Sequence, residues 1–313
     1  MRTHLAGKSV LVTGAGGYIG SALVKAIVAA GPTRLVLLDS CEQNLFEISR
    51  TVPGEAILGS VTDAPLLDDI FDRFRPDIVY HAAAYKHVPL LEQNPFAAIH
   101  NNAIGTHTLV QALLRHGPSR LVLISTDKAV NPSSFLGISK RIAELVVVSL
   151  SSSEWPMNAV RLGNVINSTG SVIPIFRQQI AAGEAVTVTH REATRYFMTL
   201  EKAVDAILAA GAAECAGRIL LPDLGEPVRI EELARSLMGD EQLPIRYIGL
   251  RPGDKLSEDL LFAQEVREGT CGALTVVRTP TIDPAALDAT IERLRAGRTL
   301  EELRPAVSAL VCQ

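Results

Sequence analysis

Cysteine is scarce and scattered. Cys41, Cys215, Cys271 and Cys312 are the only four in 313 residues; none forms a C-x-x-C pair, which excludes a disulfide framework and a cysteine zinc site. Reduced thiols are expected. The 7 histidines fall in no metal-ligand spacing, so no metal is read. Excess positive charge is also missing. With 30 Lys and Arg against 34 Asp and Glu the formal net charge is −4, and such a surface lacks the basic stripe of a nucleic-acid or acidic-membrane binder. No segment approaches the roughly 18 consecutive apolar residues of a membrane span. The apolar run near the amino terminus ends at a glycine cluster, too soon for a signal peptide. These absences leave small-molecule chemistry, with the cytoplasm as the expected location.

What is present is globular: 47% hydrophobic and 20% charged residues, without repeats or low-complexity linkers. The first half alternates short Val/Ile/Leu runs with helical stretches. Strands are expected at Val10 to Thr13, Leu35 to Leu38, Ala56 to Leu58, Ile78 to His81 and Leu121 to Ser125, a pattern that predicts an α/β fold, a doubly wound parallel (Rossmann) sheet. Two long helices, Phe96 to Leu114 and Ile138 to Leu150, follow. The second carries Ile142, Leu145, Val146 and Ser149 on one stripe but Val147 and Val148 off it. A helix apolar nearly all round needs cover on two sides, either from a second copy in a homo-oligomer or from the chain's own interior. After Ser168 a helix from Val172 to Ala182, interrupted by proline, a strand from Ala185 to Thr189 and a helix from Glu201 to Ala210 are read. The expected division is a cofactor domain over residues 1–168, to which 190–212 returns, and a smaller interleaved α/β substrate lobe over 169–189 and 213–313.

The strongest local signal is Gly14-Ala15-Gly16-Gly17-Tyr18-Ile19-Gly20, directly after the first strand and opening a helix. Glycines in G-x-x-G-x-x-G permit a tight turn, backbone approach to a pyrophosphate and close helix–strand packing, with the helix amino end facing the negative charge. Asp39 closes the second strand 19 residues after Gly20, where a carboxylate accepts from an adenosine ribose. Ser40 and Cys41 follow it, not Arg or Lys, so NAD is favoured over NADP. Asp63 is a candidate for the adenine edge or a helix cap. Ala82, Ala83 and Ala84 end the fourth strand with side chains small enough for a cofactor to lie against the backbone.

A second constellation is Ser125-Thr126-Asp127-Lys128-Ala129-Val130-Asn131-Pro132, then Leu136-Gly137-Ile138-Ser139-Lys140. With AAYKHVPLLEQNP, RLGNVINSTGSVIPIFRQQI, TRYFMT and LRPGDKL, the chain resembles the extended short-chain dehydrogenase/reductases, and among them the UDP-N-acetylglucosamine 4,6-dehydratases of polysaccharide biosynthesis. Larger membrane-attached relatives carry transmembrane helices ahead of this unit, and the chain looks like the soluble form. The resemblance implies a redox-neutral cycle in which C4 of the sugar is oxidised by NAD, water is lost across C5 and C6, and the hydride returns to C6. It implies Lys128 as the C5 base, Asp127 as the acid at the C6 hydroxyl, Thr126 as a partner of the C4 oxygen, and Lys140 as the lysine that holds the nicotinamide ribose. It further places Asn164 and Arg251 near the diphosphate, Arg195 near the nucleotide, Val172 to Pro174 beside the uracil, and Lys86 and His87 along the sugar pocket.

Leu136 departs from the family, where tyrosine in Y-x-x-x-K takes the C4 hydroxyl proton; leucine has no titratable group. Thr126 with Lys140 or a water chain is the alternative route. Three readings follow: a dehydratase on a UDP-amino sugar, with or without inversion at C5; an NAD-dependent epimerase or tailoring enzyme on another nucleotide or phosphorylated sugar; and an NAD-binding sensor without catalysis. Asp127 with Lys128 favours elimination, because C4 epimerisation needs no C5 base.

Overall fold

The computed structural model describes residues 3–117, 119–297, 299, 301–302, 305 and 307. Six strands, β1 (Ser9–Thr13), β2 (Arg34–Asp39), β3 (Glu55–Leu58), β4 (Ile78–His81), β5 (Arg120–Thr126) and β6 (Met157–Leu162), run parallel in the order 3-2-1-4-5-6. This is the dinucleotide-binding order, and its topological switch lies between β1 and β4. The central strands are buried along almost their whole length, hence the continuous apolar runs in the sequence.

The crossovers are α1 (Tyr18–Val28), α2 (Glu42–Ser49), α3 (Ala64–Phe74), the short α4 (Val88–Gln93) and α5 (Pro95–Ala98), then α6 (Gly105–His116) and α7 (Phe135–Ser149). Leu67, Ile70 and Phe71 of α3 join Leu109 and Leu113 of α6 and Ile142 and Val146 of α7 in the core on one sheet face. Leu23, Val24 and Ile27 of α1 and Leu45 and Ile48 of α2 pack on the other. The helix read over Phe96 to Leu114 runs without a break but changes pitch: α5 leads into a π-helical turn, Ile99–Ile104, which leads into α6.

Of the remaining elements, β7 (Asn164–Val165), α8 (Val172–Ala181), β8 (Val186–Val188), β9 (Thr194–Arg195), β10 (Phe197–Met198), β12 (Val228–Arg229), α10 (Ile230–Met238) and β13 (Ile245–Tyr247) build the smaller lobe and its joints. Its core is Phe176, Val186, Val188, Ala193, Ile230, Ala234 and Met238. Pro174 does not interrupt α8, because in the first helical turn the missing N–H has no intrahelical partner to lose. Between them α9 (Leu200–Ala212) packs against α1, β5 and β6.

One boundary moves. Residues 213–313, read as lobe, contribute β11 (Arg218–Pro222), β14 (Val266–Cys271) and β15 (Leu274–Arg278) to the main sheet, which thereby has nine strands, and α11 (Pro284–Ala296) to its core. β11 extends the sheet in parallel beside β6, and β15 and β14 close it antiparallel. The reason is backbone pairing: Ile219, Leu220 and Leu221 are buried, where unpaired N–H and C=O groups are costly, and β6 and β15 supply partners on either side. The part of this range outside the described residues, with Cys312, is not placed; Cys41, Cys215 and Cys271 are free thiols. Val147 and Val148 are buried within the chain, in the same cluster as Leu287, Ile291 and Leu294 of α11. The apolar surplus of α7 is thus covered from inside and no longer argues for a partner copy. Among the described residues no helix is long and apolar enough to cross a membrane, and no group of His, Cys, Asp and Glu is placed to hold a metal.

Candidate active site

The glycine loop and the residues after β4 meet at the switch between β1 and β4. Ala82 N–H donates to Thr13 O at 3.0 Å, which draws the alanine run against the loop. Gly14 has φ +66°, and a Cβ there would lie 2.6 Å from Ala83 N. A Cβ on Gly16 would lie 2.5 Å from Asn44, and one on Gly20 only 2.0 Å from Gly14 O. These glycines serve the chain's own packing. Gly17 differs: a Cβ there would meet only Gly14 O, at 3.3 Å, and no side chain caps the first amides of α1. That leaves an open cradle at a helix amino terminus, which suits a pyrophosphate. Tyr18 Oη donates to Ile166 O at 2.9 Å, tying the loop to the segment after β7, while Ile19 packs on the core below.

Asp39 Oδ2 accepts from Gly16 N at 2.9 Å and Oδ1 from Cys41 N at 2.9 Å. Each oxygen keeps a further lone pair, so the carboxylate is fixed in place and can still accept from ribose hydroxyls. The residues present therefore fit NAD. Asp63 is the amino cap of α3, its Oδ1 accepting from Leu66 N at 3.2 Å.

Below the alanines lies a buried relay that sequence reasoning missed. His81 Nδ1 is 2.7 Å from Thr13 Oγ1 and its Nε2 is 2.9 Å from Thr106 Oγ1. Thr106 gives its own proton to Asn102 O at 2.6 Å, so His81 Nε2 is the donor and Nδ1 accepts from Thr13. Burial, with Lys140 adding to it, holds the imidazole neutral by depressing its pKa to about 3. Asn102, on the π-helical turn, accepts from Tyr85 N at 2.8 Å and donates to Tyr85 O at 3.0 Å and Ser139 Oγ at 3.0 Å. This clamps the segment after the alanines onto α7.

The start of α7 is set by Ser134, whose Oγ accepts from Gly137 N at 3.1 Å. Leu136 turns into a small apolar cluster with Leu91 and Ala98, so the position that carries tyrosine in the wider family is here a packing residue. One turn on, Lys140 is buried and its Nζ donates to Ile124 O at 2.5 Å. Burial lowers its pKa to about 8, with Glu144 opposing.

Thr126, Asp127 and Lys128 stand at the carboxyl end of β5. Asp127 is fully buried; its Oδ1 accepts from Thr126 Oγ1 at 2.9 Å and from Lys128 Nζ at 3.0 Å, while Oδ2 has no hydrogen-bond partner. Lys128 Nζ also donates to Asn164 Oδ1 at 2.8 Å. Asn164, expected beside a diphosphate, thus spends its carbonyl oxygen on the lysine. Arg195 donates to the backbone oxygens of Thr194, Lys255 and Leu256 at 2.6, 2.8 and 3.2 Å, and Arg251 is held in an exposed pair with Asp254 at 2.9 Å. Lys86 Nζ donates to Thr169 O at 2.7 Å, and the His87 ring lies where a Gly170 Cβ would come within 2.7 Å. Both pin the 169–170 turn that leads into Val172 and Pro174 at the start of α8. Burial lowers the pKa of each.

Beneath this floor, Arg161 pairs with Glu144 at 2.8 Å and Glu265 at 2.6 Å, and Arg141 with Glu144 at 3.2 Å. All four side chains are buried, and Ser125 Oγ donates to Glu144 at 2.7 Å. The sequence held a signal for this quartet: Arg141 and Glu144 sit in a helix that is otherwise apolar all round.

A family model for polysaccharide biosynthesis proteins matches residues 10–277. The chain belongs to that family. The capsular polysaccharide biosynthesis protein CapD of Staphylococcus aureus is 43% identical over 278 residues, covering 84% of this chain and 46% of that protein, so the chain spans about half the length of this relative. A UDP-glucose 4-epimerase of Rickettsia conorii is 32% identical over 272 residues, 83% of this chain and 79% of that one. A UDP-N-acetylglucosamine 4,6-dehydratase (inverting) of Campylobacter jejuni is 30% identical over 268 residues, 83% and 79%. DesIV of Streptomyces venezuelae, a dTDP-glucose 4,6-dehydratase with NAD bound, superposes with a TM-score of 0.73 over 91% of this chain and 95% of that one, and its 23% identity shows the shared fold. These relationships place the chain in the superfamily that includes proteins named as sugar-nucleotide epimerases and dehydratases.

Proposed function

We propose that this chain is an NAD-dependent sugar-nucleotide 4,6-dehydratase with UDP-N-acetylglucosamine as substrate. One observation carries the reading: at the carboxyl end of β5 a buried carboxylate is bonded to a hydroxyl and an amine and keeps one oxygen without a partner. Gly17 and the α1 amides, with Asp39 at the ribose and Lys140 at the nicotinamide end, would hold NAD, which when bound would supply the hydride acceptor for C4 and the hydride donor for C6. Asp39, followed by no basic residue, favours it over NADP.

The chain's residues move the protons. Thr126 bonds the C4 oxygen and passes its proton toward Asp127 or Lys140, since Leu136 offers none. The 4-ketone acidifies C5. Lys128, as the neutral amine, takes the C5 proton; the C–H electron pair forms the C5–C6 double bond, and the C6 hydroxyl leaves as water with a proton from Asp127 in its acid form. Lys86 and His87 shape the sugar pocket through the 169–170 turn, while Asn164, Arg195, Arg251, Val172 and Pro174 line the nucleotide side.

The relationship to a protein named UDP-glucose 4-epimerase keeps epimerisation as the second reading. The test is incubation of purified protein with UDP-N-acetylglucosamine, followed by mass and proton spectra. Loss of one water supports the dehydratase. Unchanged mass with a new sugar spectrum supports the epimerase, and bound NAD without turnover supports a sensor. In the same assay Thr126→Val is expected to slow C4 oxidation, and full oxidation in that variant removes the Thr126 route.

A further inference from the structure

One buried carboxylate beside the reacting cluster has no role in this reading. Glu258 lies in the segment between β13 and β14, and its side chain is only 3% exposed. It faces three cations from three parts of the chain: Oε1 is 3.6 Å from Lys128 Nζ and 3.7 Å from Arg195 Nε, and Oε2 is 3.4 Å from Lys255 Nζ. Oε2 accepts no hydrogen bond. A carboxylate is kept this deep when cations converge on it, and here one of those cations is the amine of the reacting cluster.

The geometry around that amine is informative. An ammonium has three N–H bonds, and three oxygens surround Lys128 Nζ: Asn164 Oδ1 at 2.8 Å, Asp127 Oδ1 at 3.0 Å and Glu258 Oε1 at 3.6 Å. The first two are hydrogen bonds, and the third is an ion-pair distance. Asn164 and Asp127 take two of those N–H bonds, and the Glu258 carboxylate at 3.6 Å adds an opposite charge that holds the long side chain in this corner. The segment carrying Glu258 is itself seated on the turn after Lys128 by other bonds. Lys255 Nζ donates to Val130 O at 2.5 Å, Asn131 Nδ2 to Asp259 at 2.9 Å, and Ser133 Oγ to Gly253 O at 3.1 Å.

We propose that Glu258 is a positioning residue for Lys128, its opposite charge holding the amine against Asn164 and Asp127 so that the lone pair left by those two bonds faces the sugar at C5. The proposal rests on the dehydratase reading for its chemistry. Its step is the transfer already written: the C5–H bond breaks, its proton goes to the Lys128 amine, and its electron pair goes into the C5–C6 bond as water leaves. C4 oxidation does not use Lys128, so the two steps separate in a Glu258 variant.

The experiment uses the full chain with NAD and UDP-N-acetylglucosamine in deuterated water. In Glu258→Gln, which keeps the shape and removes the charge, the rise in nicotinamide absorbance and the KM are expected within about threefold of wild type. Deuterium entry at C5 and water loss are expected to fall at least about tenfold, equivalent to about 1.4 kcal/mol in the barrier. Glu258→Asp should recover part of that loss. C5 exchange within about twofold of wild type in Glu258→Gln overturns the proposal; so does a variant in which absorbance, exchange, KM and melting temperature all worsen together, because that is detachment of the segment. A substrate-free readout separates this from the parent reading. Labelling of Lys128 by an amine-reactive anhydride, scored by mass against the exposed Lys8, should change at least about threefold in Glu258→Gln. If wild type gives no signal with the sugar nucleotide while this change is present, the dehydratase reading fails and the positioning contact stands. If labelling is unchanged, the contact fails.

Discussion

Lys140 offers a test worked from one buried charge. Its ammonium sits in the core of α7 with a pKa lowered from 10.5 to about 8, chiefly by burial. The difference of about 2.5 units corresponds to about 3 kcal/mol at 1.36 kcal/mol per unit. Above about pH 8 the folded chain releases this proton while the unfolded chain holds it until about 10.5, so stability attributable to Lys140 rises with pH across that window. Below pH 8 the full cost of the buried charge is present. Lys140→Met fills similar volume without a titrating group, and the bond it loses to Ile124 O is a constant offset. Urea unfolding of both proteins without ligand, at pH 7 and pH 9.5, isolates the effect, because every other titrating group cancels in the difference. Wild type is expected to gain about 2 kcal/mol relative to Lys140→Met between those two values. A difference that stays flat within about 0.5 kcal/mol refutes the buried-charge account, since the smallest expected slope is several times larger.

The glycine loop divides into packing and ligand positions. Gly20→Ala drives a Cβ into Gly14 O and should destabilise the free protein by about 1–3 kcal/mol; Gly17→Ala should leave its melting temperature unchanged yet raise the NAD dissociation constant about tenfold, or about 1.4 kcal/mol. Calorimetric titration and thermal melts report both, and equal melting losses in the two variants would falsify the division. In the buried quartet, Glu265→Ala leaves two buried arginines, Arg161 and Arg141, sharing the single charge of Glu144 and should cost about 3–5 kcal/mol. The double variant Glu265→Ala with Arg161→Met should be the more stable of the two by urea denaturation, and a double variant less stable than the single one contradicts the stranded-charge explanation.

Several candidate site residues stand out in the sequence for a local reason. A dinucleotide loop is a short continuous segment whose glycines, strand and helix stand side by side in the chain, so Gly14 to Gly20 and Asp39 could be read directly. The run from Thr126 to Lys140 is equally local. The surroundings of Arg195 and Arg251 do not stand out in this way, because an arginine's partner is chosen by whatever backbone or carboxylate the fold brings up: the carbonyls of Lys255 and Leu256 for one, Asp254 for the other. Glu258 carried no motif at all. Its meaning depends on Lys128, which lies 130 residues earlier in the chain.

By itself the sequence determined the parallel sheet and the family, because periodicity and motif spacing are properties of neighbours along the chain. The tertiary structure alone decided that residues 218–222 and 266–278 close the main sheet, that α11 packs on the π-helical turn Ile99–Ile104, and that the Glu258 carboxylate reaches the Lys128 amine. Those outcomes depend on which distant surfaces find each other. Apolar burial drives that choice without direction, and only the folded geometry then brings opposite charges within a few ångströms.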